Sequence, residues 1–287
     1  MAIIFPYEGR LFAAERIVGK KDNGSSTSTG NLYLRLFKNN FIPGATTTFA
    51  DFTECNYTGY QAVPLAVDSW ASAALNADNV AVATYPAQLF TPTGTAVGND
   101  SYGYYVTSNP DLGADRVLFC EKFSTLRYMN GPSNSTGIAL SIKLGNIAEG
   151  MTLPAEGRPL LLDKLTGKRA SRVTLALRLF KNNPEISINT VLADLTIANY
   201  SGYADASLVY TGWQVAVLNA AFRGQVSQGA VTAFGHSGGD ISNSIHGYAV
   251  HESGKILWCQ EFDEPFNISG DNPSAFYHGR FEFGAAA

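Results

Sequence analysis

Charged residues are scarce in this chain. Asp, Glu, Lys and Arg make up 15% of its 287 residues, against about a quarter in an ordinary globular domain. Its 20 basic residues are outnumbered by 24 acidic ones, for a net charge of −4, and no basic run exceeds Lys20-Lys21 or Lys168-Arg169. A phosphate backbone is bound through clustered Lys and Arg, so no nucleic-acid partner is expected. Apolar runs are short as well. None approaches the roughly 18 consecutive apolar residues of a membrane span, and no membrane partner is expected. Met1 to Glu8 lack the basic stretch and long apolar core of a signal peptide, which points to synthesis in a cytoplasm without export. Sequons such as Asn23-Gly24-Ser25 and Asn267-Ile268-Ser269 are then incidental.

Three cysteines cannot build a disulfide framework, and no cluster of Cys, His or acids has metal-ligand spacing, so neither metal nor cofactor is expected. Cys120 and Cys259 occupy matching segments, Leu118 to Phe123 and Leu257 to Phe262, and read as buried thiols on equivalent strands. Paired carboxylates are missing too: Glu8/Glu156 and Asp51/Asp194 recur singly. No glycine loop is suited to cradling phosphate.

What the chain does have is a duplication. RLFKNN occurs at Arg35 to Asn40 and again at Arg178 to Asn183, an offset of 143 residues. Ala50-Asp51, Asn56-Tyr57-Thr58-Gly59-Tyr60 and Trp70 return at that offset as Ala193-Asp194, Asn199-Tyr200-Ser201-Gly202-Tyr203 and Trp213. The sequence therefore predicts an arm of residues 1–7, a first domain over 8–149 and a second over 150–287, each large enough to bury its own core.

Each copy opens on Glu-Gly-Arg, at Glu8 and Glu156, followed by an aliphatic stretch that predicts a short helix over 11–18 and over 160–165. A Ser/Thr/Gly-rich loop over 21–30 belongs to the first copy alone. Leu32, Leu34 and Leu36, like Leu175, Leu177 and Leu179, alternate with other residues, predicting a strand packed on one side and closed by a Lys-Asn-Asn turn. Asn-Tyr-x-Gly-Tyr reads as another strand, its glycine marking a bulge or a close approach. Trp70 and Trp213, amid Val, Leu and Ala, read as core plugs; a stacking platform for sugar or base is the other reading. Further strands are expected at 79–84, 88–93, 102–108, 116–121 and 137–143, and in the second copy at 245–250, 256–260 and 275–283. Many short strands between Gly, Pro and Asn turns predict a mainly β protein of two tandem antiparallel β-sandwiches, jelly-roll or Ig-like, each with one short helix at its start and joined by a linker over 145–154.

Gly235-His236-Ser237-Gly238-Gly239, with Asp240, His246 and His251 near it, matches the G-x-S-x-G of a hydrolase elbow. An elbow needs a strand before it, a helix after it and a parallel sheet around it. Here the segment aligns with the turn Thr91-Pro92-Thr93-Gly94 of the first copy and reads as hairpin residues, so no enzyme is expected.

The ordered set of EGR with its aliphatic helix, LxLRLFKNN, AD-x-T-xxx-Y-x-GY, a Trp, a YGYYV strand and an L-aromatic-C-x-x-F strand resembles a family of small proteins encoded among the structural genes of tailed bacteriophages. There the unit commonly stands alone, whereas here it is doubled. The second copy departs at Pro184-Glu185 and Thr211-Gly212. The resemblance implies a virion component and brings no active-site residues with it. The expectation is a non-enzymatic capsid cement or decoration protein, made in the host bacterial cytoplasm and carried on the outer surface of the phage head. Its expected partners are the major capsid protein and copies of itself, a trimer favoured over a dimer. The apolar Ile3, Ile4, Phe5 and Tyr7 are expected to be assembly contacts. The alternative is a carbohydrate- or receptor-binding domain of a head fibre or tail, with Tyr57, Tyr60, Tyr200 and Tyr203 as stacking surfaces.

Overall fold

A computed structural model describes residues 32–44, 46–77, 81–94, 99–107, 117–129, 131–144, 161, 164, 174–187, 189–220, 224–239, 241–270, 274–277 and 280–283. The arm with Ile3, Ile4, Phe5 and Tyr7, the helix expected over 11–18, the loop over 21–30 and the linker over 145–154 lie outside them. Of the helix expected over 160–165, Leu161 and Lys164 are described, and both are helical.

The protein is mainly β, built from antiparallel sheets. The first copy contributes β1 (Leu32–Phe37), β2 (Val63–Leu65), β3 (Ala74–Leu75), β4 (Ala81–Phe90), β5 (Asn99–Thr107), β6 (Val117–Met129) and β7 (Thr136–Leu144). They form one sheet of order β2-β1-β5-β6 and another of order β3-β4-β7. The second copy contributes β8 (Leu175–Phe180), β9 (Ala206–Leu208), β10 (Val217–Leu218), β11 (Gly224–Ser227), β12 (Thr232–Gly235), β13 (Asn243–Glu252), β14 (Lys255–Ile268), β15 (Ser274–Tyr277) and β16 (Arg280–Phe283). Its first sheet, β9-β8-β13-β14, repeats the order of its counterpart; its second is split into β10-β11-β16 and β12-β15. No strand of one copy pairs with a strand of the other among the described residues.

Several expected strand boundaries change, most of all that of 116–121, which extends to β6 (Val117–Met129), and that of 256–260, which extends to β14 (Lys255–Ile268). Residues 79–84 and 88–93 merge into β4, whose ladder to β7 shifts register between Tyr85 and Gln88. Pro86, with no N–H to give, sits within that shift, and the strand continues past it. In the second copy the corresponding stretch carries one extra residue, since Phe90 matches Phe234 at 144, and the ladder breaks into β11 with β16 and β12 with β15. The strand expected over 275–283 is therefore two.

The strand bearing RLF is covered on both faces rather than one. Leu32, Leu34 and Leu36 are buried in the largest apolar cluster, which takes in residues of both copies. Phe37 is buried on the other face with Tyr105, Val117 and Cys120, against Phe41, Phe49 and Phe52. Phe180 does the same with Leu195, Ala249, Ile256 and Cys259. The cause lies in the residues after the strand, which fold back over the sheet. The Lys38 N–H donates to the Thr53 carbonyl at 2.8 Å, and the Asn39 side chain bridges the Thr53 N–H (2.8 Å) and the Asp51 carbonyl (2.9 Å). Lys181 and Asn182 repeat the arrangement on Thr196 and Asp194. Gly103 and Gly247 make room for these rings. A Cβ on either would stand 2.5 Å from the Phe37 ring or 2.3 Å from the Phe180 ring, so no larger residue fits without displacing the phenylalanine.

Candidate functional site

The two repeated motifs, RLFKNN and NYxGY, converge at one end of the four-stranded sheet. NYxGY is a turn, not a strand. The Tyr60 N–H donates to the Tyr57 carbonyl at 2.9 Å and the Tyr203 N–H to Tyr200 at 3.0 Å. Gly59 and Gly202 both have φ of +89°, which favours glycine. The close approach is real as well: a Cβ would lie 2.5 Å from Thr93 at Gly59 and 2.7 Å from Ser237 at Gly202. Across that contact the Thr93 N–H donates to the Thr58 carbonyl, and the Ser237 N–H to Ser201, both at 2.9 Å. Thr93 and Ser237 thus hold equivalent places.

That equivalence gives Gly235 to Gly239 their place in the fold. β12 leads into it and β13 follows, but these strands belong to different sheets. The segment is a sheet-to-sheet corner, neither the expected hairpin turn nor a strand-to-helix elbow. Its histidine is held by the backbone: His236 Nε2 lies 2.8 Å from the Ile241 carbonyl, and Nδ1 accepts from the Gly238 N–H at 3.1 Å. Neither nitrogen faces the Ser237 hydroxyl. Among the described residues no group of three or more His, Cys, Asp or Glu could hold a metal ion.

Beside the turn sits an arginine, a tyrosine hydroxyl and a carboxylate. The Tyr60 hydroxyl accepts the Leu36 N–H at 3.0 Å, where β2 has already ended, and donates to Glu54 Oε1 at 2.7 Å. Arg35 donates to Glu54 Oε2 at 2.8 Å. In the second copy the Leu179 N–H meets the Tyr203 hydroxyl at 2.9 Å, which donates to Asp205 Oδ1 at 3.0 Å. Arg178 donates to Asp205 Oδ2 through Nε, at 2.8 Å, and through Nη2. His251 Nε2 stands 3.8 Å from the same oxygen. Burial opposes ionisation of Asp205, but hydrogen bonds from Arg178 and Tyr203 outweigh it and hold the carboxyl below its usual range. Burial, aided by the Arg178 charge, lowers the pKa of His251.

The four tyrosines offered as stacking surfaces are not exposed. Tyr57 and Tyr200 are 3% and 2% accessible, burial pushing the Tyr200 phenol up to about 12. Tyr60 and Tyr203 pack against the core with their hydroxyls engaged. Trp70 and Trp213 are 2% and 1% accessible, and neither indole N–H meets an acceptor among the described residues. Cys120 and Cys259 are fully buried thiols in separate clusters, each pushed up to about 12 by burial.

Two features escaped the sequence reading. One is a buried ion pair, Lys164 Nζ to Glu252 Oε2 at 3.0 Å, with side chains 0% and 5% accessible; the repeat sets Arg16 opposite Lys164, but nothing along the chain links Lys164 to an acid 88 residues away. The other is an open cleft of about 240 Å³ between β9 and β12, bounded by Tyr200, Gly202, residues 204–206 and residues 233–235. Laying the copies side by side could have shown it, because Gln61, Leu89 and Thr91 become Ala204, Ala233 and Gly235. No protein-family model, curated protein or solved structure matches the chain.

Proposed function

We propose that the chain is two tandem antiparallel β-sandwiches, residues 8–149 and 150–287, behind an arm of residues 1–7, and that it is a non-enzymatic cement or decoration protein of a tailed-phage head. In this reading it sits on the outer surface of the capsid and bridges neighbouring major capsid subunits as a homo-oligomer, a trimer favoured. One observation carries the reading: the duplication extends to the strand order of the four-stranded sheet and to its internal bonds. The Asn56 N–H meets Asn99 Oδ1 at 2.7 Å, and the Asn199 N–H meets Asn243 Oδ1 at 2.6 Å. One chain so built offers two like bodies to a lattice of like sites, and linked weak contacts gain effective concentration without a large single interface. The sparse charge suits lasting protein contacts.

Co-sedimentation with capsids of the encoding phage, stripped of this protein, tests the reading. Saturable binding is expected, with each bound copy touching at least two major capsid subunits in images of the particle, and with capsids that resist heat better than bare ones. Absence from the head, or placement on a tail or fibre, would refute it.

A further inference from the structure

We infer that the cleft of the second copy is a slot for residues 3–7 of a second copy of this chain, entered as an added β-strand. This rests on the homo-oligomer reading above. The cleft lies between two strand edges: among the described residues β9 is the last strand of its sheet, and β12 pairs with β15 alone. Such edges hold backbone N–H and C=O groups ready to pair with another extended segment. Apart from Tyr200, Phe234 and Asp205, whose carboxylate is already taken by Arg178 and Tyr203, the side chains along them are small. Ala204, Ala206, Ala233 and Gly235 stand where the first copy has Gln61, Val63, Leu89 and Thr91, so the second copy lets a backbone approach where the first carries bulk.

Residues close to the lining in the chain, though not part of it, are exposed and aliphatic. Val209 follows β9 and Val231 precedes β12, at 44% and 53% accessible, and the first copy has Ala66 and Ala87 in their places. Ile241, 52% accessible, is tied to the corner by its carbonyl, which accepts the Ser201 N–H at 3.2 Å. Backbone edges flanked by exposed aliphatic side chains suit an extended apolar peptide. They suit a sugar poorly, since the rings in the lining, Tyr200 and Phe234, are 2% and 4% accessible and offer no face for stacking. Ile3-Ile4-Phe5-Pro6-Tyr7 is such a peptide: uncharged, β-branched and aromatic, with Pro6 biasing Phe5 to the extended region. Each chain carries such a segment and, among the described residues, such a cleft, and a head-to-tail exchange of one for one can close into a ring.

Sedimentation velocity on full-length variants tests the slot. The segment variant carries Ile3→Asp and Phe5→Asp. The cleft variant carries Ala204→Gln, Ala233→Leu and Gly235→Thr, the residues the first copy tolerates there. Wild type should associate, and each variant alone should bind itself at least about tenfold more weakly. An equimolar mixture of the two should recover a complex limited to a pair, because each supplies the half that the other lacks. If the triple variant melts early, Ala233→Leu alone takes its place in the mixture. A cleft variant that associates like wild type, a mixture that stays monomeric, or a glycan-array signal lost in the cleft variant with association unchanged would overturn the slot. Capsid co-sedimentation of the same variants shows separately whether the capsid reading stands.

Discussion

The two copies close the same gap with different residues. In the first, Arg35 and Tyr60 meet on Glu54; in the second, Arg178 and Tyr203 meet on Asp205. Yet the position equivalent to Glu54 is Ile197, and the one equivalent to Asp205 is Ala62. Arginine and tyrosine stayed at their places and the acid moved. What the fold requires is an acceptor within reach of a part-buried guanidinium and a phenol that is already accepting a backbone N–H; the strand that supplies it is open to change. A charged donor left without its acceptor would cost about 1–3 kcal/mol or more, enough to keep one acid present in each copy. A second divergence lies at the neighbouring position, where Thr107 becomes His251.

The comparison breaks most visibly at its buried anchors. Trp70→Ala and Trp213→Ala should each destabilise the chain by about 3–5 kcal/mol, measured by chemical denaturation. Trp→Phe should cost far less at both sites, because the indole N–H makes no bond among the described residues. A large difference between the two alanine variants would show that the copies do not share one core design.

Of similar size is an effect at a buried ion pair of the second copy. Lys164→Met removes the ammonium facing Glu252 and should cost about 3–5 kcal/mol, whereas Lys164→Met with Glu252→Leu should recover most of it. If the single variant is as stable as wild type, the pair contributes nothing.

The moved acid can be tested by moving it again. Glu54→Ile should lower stability by about 1.5–3 kcal/mol, the range of a hydrogen bond to a charged group. Adding Ala62→Asp, the arrangement of the second copy, should restore at least half. Failure of that rescue in the melting curve would mean that backbone differences between the copies, and not the acceptor alone, decide where the acid works.

The smallest effect is on acid sensitivity. The pKa of His251 is lowered on folding, so the unfolded chain takes up its proton first. Stability is then intact above the ordinary histidine value of about 6.5 and falls as the pH drops below it. Asp205, also lowered, adds a further loss as the pH falls through the carboxylate range. His251→Thr, the residue of the first copy, should remove the loss that begins near neutrality and leave the one at lower pH. Identical melting temperatures at pH 7.5 and 5 in wild type would refute the first part.

Leucine alternation in LYLRLF and LALRLF placed β1 and β8 correctly, because burial of one side chain in two is a local property that the strand period writes into the sequence. The second cluster on Phe37 and Phe180 was not legible, since it depends on a loop folding back through Asn39 and Asn182. NYxGY misled for a related reason. Its tyrosines fit a strand, and only the +89° glycine and its contact with Thr93 or Ser237 make it a turn. The G-x-S-x-G segment read as a hairpin turn, but the corner it forms joins two sheets.

By itself the sequence determined the duplication, the mainly β class and the dominance of antiparallel pairing, because repeats, period-two burial and turn residues are readable along the chain. Tertiary structure alone decided which acid meets which arginine, that Lys164 lies against Glu252, and that a cleft opens between β9 and β12 in the second copy. Those outcomes depend on distances between residues 19 to 88 positions apart, Arg35 to Glu54 at the near end and Lys164 to Glu252 at the far one. No local pattern encodes such a distance; it is set when packed sheets bring their edges together.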